Sequence, residues 1–238
     1  EYVFHLAALI GIPFSYVAPN SYISTNIQGS ANVFQACMEN NITKLIQTST
    51  SEVYGTAQYT PIDEKHPLQG QSPYSASKIA ADMTAISYAN SFNLPVAILR
   101  PFNTYGPRQS SRAIIPTIIS QALTRDVIEI GSLKPLRDLN FVSDTVNGFL
   151  HLAASDFKSG EVFNLSSGSQ ISIGDLANLI QIKLETNISI VSKTERIRPE
   201  KSEVLSLLGD SSYMRNNTSW KPKLSLEEGI VKTIAYIK

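Results

Sequence analysis

The chain has 238 residues, 42% hydrophobic and 17% charged, with a formal net charge of zero at neutral pH. That balance excludes a disordered chain and removes any general electrostatic case for nucleic acid or an anionic membrane, so an anionic ligand has to be held by a few placed cations. No apolar run approaches a membrane span, and the single Cys37 excludes an internal disulfide and fits a reducing, cytoplasmic compartment.

Tyr2 to Ala8 is a short apolar run that predicts a buried parallel strand. After a loop holding Gly11 and Pro13, the residues Ile27, Ala31, Phe34 and Met38 recur at helical spacing and predict a helix from Thr25 to Asn40. Lys44–Thr48 reads as the next strand, completing strand–helix–strand, the pattern of a βαβ crossover. A helix follows from Pro73 to Phe92, with Ser72 as N-cap and Pro73 at the first helical position. Pro95–Leu99 is the strand after it. This alternation predicts an α/β fold with a doubly wound, Rossmann-like parallel sheet over residues 1–108.

Beyond Arg108 the texture changes. The pattern predicts a helix over 113–124, a strand Val127–Ile130, a helix through Ala154 capped by Asp144, and a strand Glu161–Leu165. A capping-box pattern at Ser172–Asp175 opens a helix to Leu184, and Ile188–Val191 is a further short strand. Arg196–Asp210 is polar and loop-rich, and Ser225–Glu228 starts the terminal helix. Residues 109–238 read mainly as a smaller mixed α/β substrate-binding unit with segments returning to the sheet.

The chemistry concentrates between Ser49 and Lys78. A buried strand ending in Thr50-Ser51-Glu52 places two hydroxyls and a carboxylate at the carboxyl edge of the sheet, where α/β proteins put ligands. Tyr74 and Lys78, four apart, share one helical face. A tyrosine acting as base near neutrality needs a shift of roughly three units, about 4 kcal/mol, and a lysine one turn away supplies charge in the right sense. Thr50 can bond the same substrate hydroxyl. Glu52 has no part in a simple oxidation and points to a second proton transfer. Arg137 and Arg198 are the candidate phosphate ligands, with Arg108 and Arg112 behind them. Asn26 by itself reads as a plain N-cap of the helix after the first strand. His66, His151 and Cys37 have no partners at metal spacing, so no metal is expected. Tyr54 and Trp220 read as packing residues, and Gly55 as a turn.

These motifs together resemble the extended short-chain dehydrogenase/reductase family, specifically its nucleotide-sugar epimerases and dehydratases. His5-Leu6-Ala7-Ala8, Tyr74-Ser75-Ala76-Ser77-Lys78, Arg100-Pro101-Phe102-Asn103-Thr104-Tyr105-Gly106-Pro107, Arg137-Asp138-Leu139-Asn140-Phe141-Val142-Ser143-Asp144 and Arg198-Pro199-Glu200 carry it, in the family's order and over essentially the whole chain. The resemblance implies NAD as cofactor, beside Leu6, Ala7, Ala8, Asn26, Thr48, Tyr74, Lys78 and Pro101. It implies a nucleotide-diphosphate sugar near Asn103, Arg112, Arg137, Asn164 and Arg198, and a homodimer through the helices at 25–40 and 73–92.

The triplet Thr50-Ser51-Glu52 looks like that of the hexose 4,6-dehydratases. Together with Arg196–Val204 it is most similar to the N-acetylglucosamine 4,6-dehydratases of legionaminic acid biosynthesis. The implied reaction has Tyr74, activated by Lys78, take the C4 hydroxyl proton as hydride leaves. Glu52 then removes the C5 proton, the C6 hydroxyl departs as water, and hydride returns to C6. Ser51 stands where other members have an Asp acid, so Glu52 is expected to relay both protons. A nucleotide-glucuronate decarboxylase, a 4-epimerase and, in a different class, a non-catalytic dinucleotide-binding regulator remain alternatives, and the nucleotide stays open among UDP, GDP and dTDP. The family's Gly-x-x-Gly-x-x-Gly motif and its ribose-binding acid are absent from the sequence. The chain therefore reads as lacking two βαβ-like units, on the order of 60 residues, before Glu1. On that reading these residues alone are expected to bind NAD poorly and turn over negligibly.

Overall fold

Four strands lie parallel in one sheet, in the order β1 (Tyr2–His5), β2 (Lys44–Thr48), β3 (Val96–Pro101), β8 (Glu161–Leu165), in a computed structural model that describes residues 1–238. Leu45 and Ile46 on β2 and Val96 to Leu99 on β3 are all buried. A strand covered on both faces has no solvent side to alternate with, and these runs read as continuous apolar sequence for that reason. Between the strands run α1 (Ile12–Val17), α2 (Pro19–Tyr22), α3 (Gly29–Glu39) and α4 (Pro73–Phe92).

One face of the sheet packs Leu45, Val96 and Ile98 against Phe34 of α3 and Ala85 and Ala89 of α4. The other packs Ile46, Leu99 and Phe163 against Phe149 and Leu152 of α6 (Val142–Ala154), together with Trp220. Helices on both faces of a parallel sheet are the doubly wound arrangement the alternation predicted. No helix is long and apolar enough to cross a membrane.

The second half builds its own core. Short strands β4 (Asn103–Tyr105), β5 (Val127–Ile130), β6 (Leu136–Arg137), β7 (Leu139–Phe141), β9 (Ile171–Ser172) and β10 (Ser189–Ser192) pair as β4–β7, β5–β10 and β6–β9. With α5 (Ile114–Thr124), α7 (Ile173–Leu184) and α9 (Leu226–Ile237) they enclose Ile118, Ile128, Leu176, Ile180, Ile230 and Ile234. A short α8 (Ser212–Asn217) packs on β8. The sequence of β8 lies in this half, yet it pairs with β3, so the second half returns to the sheet.

The strands expected at Pro95–Leu99 and Ile188–Val191 are displaced to Val96–Pro101 and Ser189–Ser192, and three further differences bear on the site. The first strand stops at His5 rather than Ala8, where its pairing with β2 ends, and it is an edge strand with Tyr2 exposed rather than a buried one; beyond it the Asn26 side chain takes both backbone groups of Leu9, its Oδ1 accepting from Leu9 N–H at 2.8 Å and its Nδ2 donating to Leu9 carbonyl at 2.9 Å. The helix expected from Thr25 begins at Pro19, whose ring presets the first-turn φ, and it passes through a π-helical turn, Ile23–Gln28, before α3. Asn26 lies inside that turn and caps nothing. Asp144, expected as a cap, sits in the first turn of α6 after Phe141. Its Oδ2 instead accepts from the N–H groups of Lys223 and Leu224 at 2.9 and 3.1 Å, pinning the segment before α9.

Candidate active site

The carboxyl ends of β1, β2 and β3 converge beneath the first turns of α4. Ser72 caps α4 with a reciprocal bond to Ser75, and Pro73 opens it. This brings Tyr74 and Lys78, both buried, over the end of β2. The chain leaves β2 through an extended Thr50 and a single 3-10 turn, Ser51–Tyr54, whose cap is the Thr50 hydroxyl accepting from Glu52 N–H at 3.2 Å. Gly55 closes the turn at φ 63°, a left-handed value that suits glycine. Thr50, Ser51, Glu52, Tyr74 and Lys78 therefore stand together at the sheet edge.

Their electrostatics differ from expectation in one respect. The Tyr74 phenol is pushed well above its ordinary range, first by burial and further by the charges of Glu52 and Asp82, while a hydrogen bond with Thr50 opposes the shift. Lys78 does not pull it down in the chain alone. Its ammonium donates to the Thr48 carbonyl at 2.5 Å, and burial lowers its pKa while the Asp82 carboxylate raises it. Desolvation of an enclosed phenol outweighs a cation turned toward another acceptor. Behind them Asn26 donates to Ser77 Oγ at 2.9 Å, and Ser77 donates to the Tyr74 carbonyl at 2.7 Å. The loop after β1 is thus tied to the active helix. Burial and the Lys78 charge push the imidazole of His5, the last residue of β1, below its ordinary range, and its ring bonds Ser30 at 3.0 Å.

The β4–β7 pairing sets Asn103 opposite Leu139, next to Arg137. Arg137 is buried: Nη1 donates to the carbonyls of Leu136 and Val204 at 3.0 and 2.7 Å, and Nη2 reaches Glu203 Oε1 at 3.1 Å. Arg198 Nη1 lies 3.7 Å from the same oxygen and has no hydrogen-bond partner. Burial lowers the Arg137 pKa, and the charge of Glu52 opposes that shift. Tyr16 of α1 bonds Ser202, beside Glu203, at 2.6 Å. Thr48 Oγ1 and Asn103 Oδ1 are buried without partners, and Leu6 is exposed past the end of β1.

Two expected substrate residues stand apart. Asn164 is fully buried with its amide committed inside the protein: Oδ1 accepts from Tyr54 at 2.6 Å and Nδ2 donates to Ile62 carbonyl at 3.1 Å. Arg112 is exposed on the turn before α5. Sequence reasoning passed over Glu203, Tyr16, Asp82 and Arg100. Asp82 carried a signal in its four-residue step from Lys78 on one helical face, and Arg100 and Glu203 stood within the stretches that carry the family resemblance.

Tyr54 also has a use beyond packing. Burial pushes its phenol from 10.0 up to about 12, against the opposing pull of Arg100. A phenol whose folded pKa is raised contributes stability fully present below its unfolded pKa and lost as pH rises through the folded one. Stability is therefore expected to fall between pH 10.0 and about 12 by roughly 3 kcal/mol from this group. Urea unfolding across the alkaline range should show a shallower fall in Tyr54→Phe; an unchanged slope would remove Tyr54 as the cause.

No group of three or more His, Cys, Asp or Glu side chains is arranged to hold a metal. Comparison with known proteins agrees with the geometry. The family model described as GDP-mannose 4,6 dehydratase matches residues 1–233. A dTDP-D-glucose 4,6-dehydratase of Homo sapiens is 33% identical over 251 residues, an alignment covering 100% of this chain and 69% of that protein. Among solved structures, a UDP-N-acetylglucosamine 4-epimerase from Methanobrevibacter ruminantium, in complex with UDP-N-acetylmuramic acid, superposes with a TM-score of 0.89 at 33% identity, covering 99% of this chain and 76% of that one. A UDP-glucuronic acid 4-epimerase from Bacillus cereus, in complex with UDP-glucuronic acid and NAD, gives 0.92 at 26% identity, covering 100% and 75%. A strand-end hydroxyl and carboxylate under a Tyr/Lys helix, faced by two arginines, on a chain matched from end to end: the protein belongs to the GDP-mannose 4,6 dehydratase family, among the nucleotide-sugar dehydratases and epimerases of the extended short-chain dehydrogenase/reductases.

Proposed function

We propose that the protein is an NAD-dependent nucleotide-sugar 4,6-dehydratase, forming a 4-keto-6-deoxy sugar. The observation that carries this reading is the buried Glu52 on the same strand end as Thr50, beside Tyr74. Oxidation at C4 needs only the hydroxyl pair and the lysine; a carboxylate there has work only if a second proton moves.

The residues present fit a dinucleotide: Thr48 Oγ1 is buried and unpartnered, Lys78 has N–H groups beyond the one given to Thr48, and exposed Leu6 offers an apolar contact. Leu6, Ala7, Ala8, Thr48, Lys78 and Pro101 would hold it, with Asn26 fixing the loop beneath. Bound NAD supplies the hydride acceptor, the later donor, and a positive charge near the phenol.

Thr50 and Tyr74 hold the C4 hydroxyl, and Tyr74 removes its proton once its pKa is brought down from the raised value of the chain alone. The 4-keto group then acidifies C5. Glu52 takes that proton and, since Ser51 is no acid, returns a proton to the C6 hydroxyl as it leaves as water. Arg137 and Arg198 hold the diphosphate, with Asn103 beside them, and Tyr16 with Ser202 closes over the substrate. The similarity around Arg196–Val204 favours a 2-acetamido hexose. The exposed side chains of Met83 and Phe92 on α4 and of Ile23 before α3 support a homodimer through these helices, which sedimentation of the protein would reveal.

Incubation with nucleotide-hexoses in deuterated water tests the reading: the product should weigh one water less and carry deuterium. A 4-epimerase is the competing reading, supported by the two epimerase structures named above, and it leaves mass unchanged. A product of unaltered mass would overturn the dehydratase assignment.

A further inference from the structure

We propose that the buried Asp82–Arg100 ion pair is the positioning clamp of the catalytic turn, gripping it at both ends and referring it to the helix that carries Tyr74 and Lys78. The proposal rests on the dehydratase reading for its catalytic consequence, and on geometry alone for the clamp.

Tyr74, Lys78 and Asp82 recur at four-residue steps along the inner face of α4. Asp82 is fully buried, and one of its oxygens, Oδ2, accepts from Ser49 Oγ at 2.7 Å and from Arg100 Nε at 3.1 Å. Arg100, buried on β3, donates from Nη1 to the Tyr54 hydroxyl at 3.0 Å, and its guanidinium carbon lies 5.0 Å from the centre of the Tyr54 ring. Tyr54 donates onward to Asn164 on β8. Ser49 and Tyr54 are therefore the two ends of one segment, held by the two halves of one ion pair. Thr50, Ser51 and Glu52 lie between them.

The turn needs such a fastening. Its own backbone bonds are long, 3.4 Å from Val53 N–H to Thr50 carbonyl and 3.2 Å from Gly55 N–H to Glu52 carbonyl. Gln69 holds the carbonyls of Val53 and Tyr54 from the outer loop, each at 2.8 Å, but it has no link to α4. α4 also meets the segment through the Thr50–Tyr74 hydrogen bond and through Ile79, which packs against the cluster holding Val53 and Tyr54, but Asp82 and Arg100 are the pair that fastens both of its ends. A buried ion pair is poor value as a source of stability, since apolar replacements often serve as well or better. Here its hydrogen bonds have a geometric role: proton transfer by Glu52 requires the carboxylate within a fraction of an ångström of C5 and C6, and an error of about 1 Å can cost about a hundredfold in rate.

The test uses Ser49→Ala and Tyr54→Phe, singly and together, with Asp82→Asn as the central change. Hydrogen–deuterium exchange, read without substrate, should rise in residues 49–55 of the double variant while α4 and β3 stay protected. With nucleotide-hexose, kcat should fall by about a hundredfold while KM stays within about twofold, because the arginines that bind the diphosphate lie elsewhere. Asp82→Glu should restore less than half of the loss in Asp82→Asn, since a longer arm keeps the charge but displaces Ser49. If Asp82→Asn does not fold, the Ser49 and Tyr54 variants decide alone. Unchanged exchange at 49–55 in the double variant overturns the clamp, as does unchanged kcat in a protein that dehydrates its substrate. Increased exchange in a protein whose unmodified form yields no dehydrated product would leave the clamp standing and remove the dehydratase reading.

Discussion

Glu52→Gln is expected to lower formation of the dehydrated product by about 10²–10⁴-fold while leaving the C4 hydroxyl open to oxidation, because the substitution removes one proton carrier and nothing else. The amide keeps the shape and burial of the carboxylate at the head of the 3-10 turn. It also keeps the backbone N–H that Thr50 accepts, so the hydroxyl pair should stay in place. What is lost is a base for C5 and, with Ser51 beside it, the acid for C6. The two steps should separate: reduced nicotinamide absorbance appears on adding substrate, and deuterium from solvent no longer enters C5. Since Ser51 provides no second acid, Ser51→Asp should leave the C5 exchange unchanged and speed water loss if departure of the C6 hydroxyl limits the rate. Normal turnover by Glu52→Gln would sink the dehydratase assignment, and with it the idea that one carboxylate serves two protons.

Tyr74→Phe is expected to act a step earlier and abolish both signals. The phenol is enclosed, and its raised pKa means that its base form is scarce at neutral pH without a nearby positive charge. The rate in the unmodified protein should therefore rise with pH along its acid limb, as the phenolate fraction grows. In Tyr74→Phe the rate should fall by about 10²–10⁴-fold and the limb should vanish. Lys78→Met should keep the limb but move it to higher pH if the ammonium, which donates to the Thr48 carbonyl in the chain alone, favours the phenolate once substrate and cofactor are bound; an unmoved limb would leave Lys78 a binding residue only. A limb that survives Tyr74→Phe would assign the base to another group, with Glu52 the first alternative.

The sequence carried the sheet with little loss. Lys44–Thr48, Pro73–Phe92, Val127–Ile130 and Glu161–Leu165 were legible to the residue, because a short stretch of large apolar and β-branched side chains between polar residues marks a strand and a long helix bears its own caps. The misreadings fell where a side chain from far along the chain takes a backbone group. Asn26 binds the backbone of Leu9 instead of capping a helix, and Asp144 binds residues 223 and 224 instead of capping its own. No local period encodes such a partner.

The site divides in the same way. Thr50, Ser51, Glu52, Tyr74 and Lys78 could be grouped from sequence because strand end and helix start each hold them in a short, patterned stretch. Asn103 and Arg137 could be named, but only the β4–β7 pairing sets Asn103 opposite Leu139 and so brings its strand to the segment that carries Arg137. Glu203, which both arginines approach, and the Tyr16–Ser202 bond rest on separations of 66 and 186 residues. Asn164 shows the reverse: a residue suited by type to bind substrate is consumed by Tyr54 and Ile62 once the chain is folded.

The order of strands and helices thus determined the fold class, local spacing the hydroxyl–carboxylate–phenol–ammonium set, and a series of motifs along the chain the family resemblance. The tertiary structure decided which charges face one another, what burial does to Tyr74, and what holds the Ser51–Tyr54 turn in place. Those are properties of distance and dielectric, and neither exists until α4, β3 and β8 have packed around Asp82 and Arg100.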